Sequence, residues 1–190
     1  MNNSISNLSV EYFKGDQLNH IWFISDTHFG VDKTRVKTCR PFDSVNEMDK
    51  EMIKQWNKVI KPNDVVYHLG DFGDLKVLKK LNGKVRIVMG NHEKKNGYTK
   101  EDLLNAGFVK VFEDRALIEL DGKLIHMCHE PSKHVPNMLN LFGHVHDLAF
   151  IKPYGINIGV DVHHYRPVSY ERMMYYSNLT GEGYQGEFTI

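Results

Sequence analysis

Neither sign of charge is in excess in this sequence: 24 Lys and Arg stand against 24 Asp and Glu in 190 residues. A protein that grips long DNA or RNA carries a basic surplus. A long nucleic-acid footprint is therefore not expected, whereas nucleotides and short oligonucleotides are compatible with the charge. Cysteine is nearly absent. Cys39 and Cys128 lie far apart with no C-x-x-C spacing, which excludes a disulfide framework and a zinc ribbon. No apolar run approaches the ~20 residues of a membrane span. Met1-Asn2-Asn3-Ser4 has neither the basic nor the apolar region of a signal peptide. The expectation is a cytoplasmic protein with no membrane partner. Repeats, linkers and low-complexity tracts are also missing, so residues 1–190 read as one domain, large enough to bury a real core.

What the chain does have is histidine, 11 in all, and a regular way of placing polar residues after apolar runs. Ile21-Trp22-Phe23-Ile24 meets Ser25-Asp26. Val65 to Leu69 drops into Gly70-Asp71-Phe72, and Val85 to Met89 into Gly90-Asn91-His92. Each reads as a buried strand that delivers a polar side chain to the carboxyl edge of a sheet, where open α/β sheets bind ligands. Ser44-Val45-Asn46-Glu47 has the form of a capping box. Val45, Met48, Met52, Trp56 and Val59 follow at helical spacing. Asp74 fits the N-cap of a helix through Leu75, Leu78 and Leu81 that stops at Gly83, and Thr99 to Gly107 a second short helix.

Leu8 to Phe13 is strand-like, and Lys14-Gly15-Asp16 suggests a hairpin with the next run. Residues 29–43 show no apolar period and read as a loop. The second half is mostly strands: Val109 to Phe112, Ala116 to Leu120, Lys123 to Cys128 after the Asp121-Gly122 turn, Leu139 to Phe142 and Ile156 to Asp161. A last helix runs from Ser169 through Met173 and Tyr176, and residues 181–190 have a strand-like end. The pattern predicts an α/β fold of two packed sheets with helices outside.

Singly, the polar positions have ordinary structural readings. Asp26 and His28 fit a turn, Asp71 and Asn91 are common turn formers, and His129 fits a hydrogen-bonded core ring. His144 and His146 are the sharpest pair, because residues i and i+2 of an extended segment point the same way. Together the positions form a series: strand-Asp-x-His, strand-Gly-Asp, strand-Gly-Asn-His-Glu, strand-His and strand-Gly-His-x-His over residues 26–146. The donors are carboxylate, amide and imidazole with no thiolate, which suits manganese, iron, zinc or similar ions and not a structural zinc site. Seven such side chains exceed one ion's needs and suit two, if one carboxylate is shared. Two ions roughly 3.5–4 Å apart are a known device for displacement at phosphorus.

The order and spacing of these motifs resemble the calcineurin-like metallophosphoesterase superfamily, and in particular its small prokaryotic and phage-type members. The resemblance implies a four-layer αββα sandwich with mixed β-sheets, its motif-bearing core at residues 20–170. It implies two divalent metal ions, manganese first, with iron, zinc, nickel or magnesium as the other candidates. Asp26, His28 and His146 would hold the first ion, and Asn91, His129 and His144 the second, with Asp71 bridging. A hydroxide between the ions would attack phosphorus, and His92 would contact the phosphate and protonate the leaving oxygen. Asp74 occupies the place where some relatives keep a carboxylate that orients the catalytic histidine; its other reading is the helix N-cap. Two departures from the family pattern stand out. Cys128-His129-Glu130-Pro131 puts a carboxylate beside the second ion, and Val31 occupies a position at which many relatives carry histidine.

Among the cations after the first ligand pair, Lys33, Arg35, Lys37 and Arg40, only Arg40 is expected to reach a substrate phosphate. Phe42 and Tyr165 offer rings for a base or ordinary packing. The expected activity is hydrolysis of a small or nucleotide-like phosphomonoester or phosphodiester, by a monomer or a homodimer. The rival reading is a non-catalytic scaffold on the same fold, as in the retromer subunit of the superfamily; such a protein would be expected to have lost His92 or some ligand positions, which here are all filled. A third is a regulatory metal-binding module without turnover.

Overall fold

Runs of Val, Ile, Leu and aromatic residues, each closed by Gly or a turn former, pair into two sheets in the computed structural model, which describes residues 8–181. The strand-like end expected at residues 181–190 lies beyond those described, apart from Gly181.

One sheet has six strands: β1 (Val10–Phe13), β6 (Arg115–Leu120), β7 (Lys123–Cys128), β8 (Leu139–Phe142), β9 (Ile151–Lys152) and β10 (Gly155–Asn157), in the order β1-β6-β7-β8-β10-β9. The other has five: β2 (Ile21–Ile24), β3 (Val65–His68), β4 (Lys84–Val88), β5 (Lys110–Phe112) and β11 (Val168–Ser169), in the order β11-β2-β3-β4-β5. Both are mixed. In the five-stranded sheet β2 to β5 run parallel and only β11 is antiparallel. The helices are α1 (Asp32–Lys37), α2 (Val45–Val59), α3 (Asn91–Lys95), α4 (Lys100–Ala106) and α5 (Tyr170–Gly181). The α/β class with two packed sheets and outer helices is as the sequence predicts.

The central strands are apolar on both faces because both are covered. Ile24, Val66, Val85 and Ile87 point toward Met48, Met52 and Trp56 of α2 and Leu103 of α4. Phe23, Tyr67, Leu69 and Val88 point the other way, onto Ile118, Ile125, Met127, Leu141 and Ile156 of the second sheet. Burying each such large side chain contributes about 1.5–3 kcal/mol, so the sandwich holds the strand ends rigidly in place. Helix α2 begins as its capping signal predicts, with the Ser44 hydroxyl accepting from the Glu47 amide. The Glu47 carboxylate reaches one residue further back, to the Asp43 amide.

Four local expectations are corrected. β1 pairs in parallel with β6, not as a hairpin with β2. A 3-10 helix over Gly15–His20 buries Leu18 between the sheets, and the Gly15 amide donates to Asp121, so the chain crosses from one sheet to the other. The helix after Asp74 is a 3-10 helix over Leu75–Lys80. Residues 32–37 form α1, a helix with no buried face and hence no apolar period to read. The strand expected over Ile156 to Asp161 ends at Asn157, and Val160–Val162 form a 3-10 helix. Residues 91–95 form the short helix α3.

His126 and His163, to which the sequence assigns no role, are buried. His126 hydrogen-bonds Asn140, and His163 donates to the Asn157 carbonyl. Burial pushes both imidazoles down to about 4, whereas in an unfolded chain they titrate near 6.5. Between those values the unfolded chain binds protons that the folded one does not. Their contribution to stability is therefore complete above about pH 6.5 and falls toward pH 4, by up to about 1.4 kcal/mol per pH unit for each ring. Melting curves in chelator between pH 7 and 4.5 are expected to show a falling Tm, and a flat Tm would contradict this. Among the described residues, no helix is long and apolar enough to cross a membrane.

Candidate metal centre

All the predicted ligands gather at the carboxyl ends of β2, β3, β4, β7 and β8. Asp26 and His28 follow β2, Asp71 follows β3, Asn91 opens α3 after β4, His129 follows β7, and His144 and His146 follow β8. Parallel pairing aligns the first three ends. The β2 and β3 loops are laced together by the Asp26 amide on the Gly70 carbonyl at 3.1 Å and the His28 amide on the Asp71 carbonyl at 3.0 Å. Asp26, His28, Asp71, His144 and His146 all have left-handed backbone, with φ between 49° and 71°. That region is sparsely populated by non-glycine residues, with Asp, Asn and His the better tolerated, and it concentrates at functional sites. Glycines admit the close approach. A Cβ on Gly90 would run into Asp71 Oδ1, and one on Gly143 into Ser25 Oγ and Asp26 Oδ2.

The donor atoms fall into two overlapping groups. Ligand atoms of Asp26, His28 and His146 lie within 4.8 Å of one another, as do those of Asp26, Asp71 and His129. Asn91 Oδ1 joins the second group at 2.8 Å from His129 Nε2 and 3.0 Å from His144 Nδ1. Asp71 stands between the two. Its Oδ2 faces His28 Nε2 at 3.4 Å and its Oδ1 faces His129 Nε2 at 3.5 Å.

The chemistry of these atoms fits cations. His28 is 5% exposed, and neither ring nitrogen has a hydrogen-bond partner, a costly state for a buried polar group unless something else satisfies it. Burial, reinforced by Arg40, lowers its pKa to about 2, so the ring is neutral and keeps a free lone pair. His129 Nδ1 donates to the Leu69 carbonyl at 2.8 Å. Its Nε2 lone pair is thereby turned toward the oxygens of Asn91 and Asp71, a convergence of electron pairs that a divalent ion resolves. Burial raises the Asp26 carboxyl, against the opposing pull of His129 and His146, and the His144 amide donates to both of its oxygens.

His92 sits beside this cluster without joining it. Its ring meets that of His28 edge-on at 5.3 Å between centroids, and its backbone amide donates to Asp71 Oδ1 at 2.7 Å. His92 Nδ1 accepts from the Asn96 side chain at 3.2 Å, which leaves Nε2 to carry the ring proton.

The sequence profile of the calcineurin-like phosphoesterase superfamily domain matches residues 20–156. The chain belongs to this superfamily. The chain is 33% identical over 172 residues to the uncharacterized protein MJ1445 of Methanocaldococcus jannaschii, covering 80% of this chain and 88% of that protein. It is 31% identical over 85 residues to the Gene 66 protein of Mycobacterium phage L5, covering 40% of this chain and 41% of that protein. Among solved structures it is similar to AQ665 from Aquifex aeolicus, a protein of unknown function, with a TM-score of 0.66 and 26% identity over 82% of this chain and 98% of that one.

Within this phosphoesterase domain two expectations are corrected. Arg40 does not face a substrate. Its side chain is fully buried and donates from Nε and Nη2 to Asp161 at 2.8 and 3.0 Å, and from Nη1 and Nη2 to the Thr27 and Asp26 carbonyls at 2.9 and 2.6 Å. Asp74 is an exposed cap that accepts from the Lys76 amide, and the Nδ1 of His92 is held by Asn96 instead. The Phe42 and Tyr165 rings pack edge-on against each other at 4.9 Å. Glu130, beside the second group, pairs with Lys133 at 3.3 Å.

Two residues escape the sequence reading. Asp161 accepts from His146 Nδ1 at 2.7 Å. Glu93 is 1% exposed and accepts from the amides of Asp71, Phe72 and Gly90, each at 2.8 Å, fastening the β3 and β4 loops to each other. Its signal was a Glu three residues after the Gly that opens α3, the place of a capping glutamate. Glu93→Ala would leave three buried amides unpaired and is expected to cost about 3 kcal/mol or more. Urea denaturation in chelator checks this; a wild-type midpoint would show that other groups satisfy those amides.

Proposed function

We propose that this phosphoesterase domain is a dinuclear metal-dependent hydrolase of a small or nucleotide-like phosphate ester. The observation that supports this best is the placement of Asp71, whose two oxygens face one histidine from each of the two overlapping donor groups at 3.4 and 3.5 Å.

Asp26, His28 and His146 would hold one ion and Asn91, His129 and His144 the other, with Asp71 shared. Bound divalent ions, manganese first among the candidates, lower the pKa of water toward neutrality and offset the phosphate charge. The chain does the rest. Leu69 and Asp161 fix the tautomers of His129 and His146, so that each presents a lone pair inward. Asn96 holds Nδ1 and so orients the His92 ring; once that ring is protonated, Nε2 can give its proton to the leaving oxygen as general acid and leave a neutral imidazole. Glu93 holds the two loops at fixed separation, so the acid and the ion-binding groups keep one geometry.

The test is hydrolysis of bis-p-nitrophenyl phosphate and p-nitrophenyl phosphate in parallel, with Mn²⁺ and with chelator. Metal-dependent turnover of the diester directs the substrate search to nucleotide diesters, and turnover of the monoester alone to phosphatase substrates. No turnover of any ester in a broad panel, by protein loaded with two ions, would overturn the proposal in favour of a scaffold.

A further inference from the structure

The two donor groups are built differently. In the group of Asp26, His28 and His146, two of the three residues are buried, and His28 has no other use for its ring nitrogens. Behind His146 stands a carboxylate, Asp161 Oδ2, at 2.7 Å from Nδ1. Behind that carboxylate stands Arg40, whose fork grips both Asp161 oxygens while its remaining donors hold the Asp26 and Thr27 carbonyls. One guanidinium with no exposed side-chain surface therefore ties together the loop after β2, the segment after α1 and the segment after β10. The Val160 amide on the Ser25 carbonyl at 3.0 Å fixes the register of Asp161 against Asp26.

The other group has no such backing. Asn91 and His144 are exposed, and the ring of His129 is oriented by a neutral carbonyl, that of Leu69. A carboxylate behind a ligand imidazole raises its basicity and fixes its direction, and losing such a partner costs about 10- to 100-fold in metal affinity.

We propose that Arg40 and Asp161 are positioning residues for His146 that make the site of Asp26, His28 and His146 the tighter of the two, filled first and emptied last, while the site of Asn91, His129 and His144 exchanges. This rests on the reading of the cluster as a two-ion centre.

Calorimetric titration of the metal-free full-length protein with Mn²⁺ tests it without recourse to activity. Wild type is expected to bind in two steps of different affinity. Asp161→Asn keeps the size of the side chain and is expected to weaken the tighter step by roughly 10- to 100-fold and leave the weaker one in place. His144→Ala, at an exposed loop position, is expected to remove the weaker step alone; this keeps the proposal testable if Asp161→Asn does not fold. A folded Asp161→Asn protein with both steps unchanged, or a His144→Ala protein that loses the tighter step, overturns this inference and leaves the two-ion centre standing. Wild-type protein that binds no Mn²⁺ and no other divalent ion overturns the centre itself.

Discussion

His92→Ala is expected to lower phosphoester hydrolysis by roughly 10²- to 10⁴-fold while the bound metal stays at the wild-type level. Its side chain is absent from both donor groups, and the contact it makes to Asp71 runs through its backbone amide, which alanine retains. The loss should depend on the leaving group. An alkoxide needs a proton far more than p-nitrophenolate does, so the drop should be steep for alkyl esters and shallow for p-nitrophenyl ones. Rates measured across leaving groups of rising pKa, with metal analysis of the same samples, check this. A uniform loss for all esters would assign His92 to phosphate binding and not to proton transfer.

Asp71→Asn is expected to be as severe for a different reason. The amide keeps an oxygen to accept from the His92 amide, but the charge shared between the two groups disappears. The variant should lose at least one ion. The electrostatic stabilisation that goes with it amounts to several kcal/mol, on the order of 10³-fold or more in rate at about 1.4 kcal/mol per decade. Metal content and rate, measured together, decide the matter. Two ions at full occupancy with a near-normal rate would remove Asp71 from its bridging place.

The sandwich was legible because its strands are apolar on both faces and end in Gly or Ser plus a polar residue. Ile21–Ile24 and Val65–His68 pair in register, so Asp26 and Asp71 leave the sheet side by side. The gathering of Asp26, His28, Asp71, Asn91, His129, His144 and His146 followed from those strand ends. What the sequence hid is of another kind. The left-handed backbone at Asp26, His28, Asp71, His144 and His146 is imposed by loops crossing one another, and these residue types tolerate it without advertising it. Arg40 looked like a free cation because its partner, Asp161, lies 121 positions away, beyond any local pattern. Asp74 satisfied a capping signal, and capping is what it does. The segment after Lys14 resembled a hairpin turn, but the burial of Leu18 between the sheets carried it across instead. Local rules captured the elements, and long-range polar contacts decided which charged residues support the site and which face outward.

The most direct test of the shared-carboxylate centre is anomalous diffraction from crystals of the protein grown with Mn²⁺, recorded at the manganese edge. Two peaks roughly 3.5–4 Å apart are expected, one beside His28 and His146, the other beside Asn91, His129 and His144, with one Asp71 oxygen on each. A single peak under saturating Mn²⁺, or two peaks with Asp71 bound to neither, would contradict it.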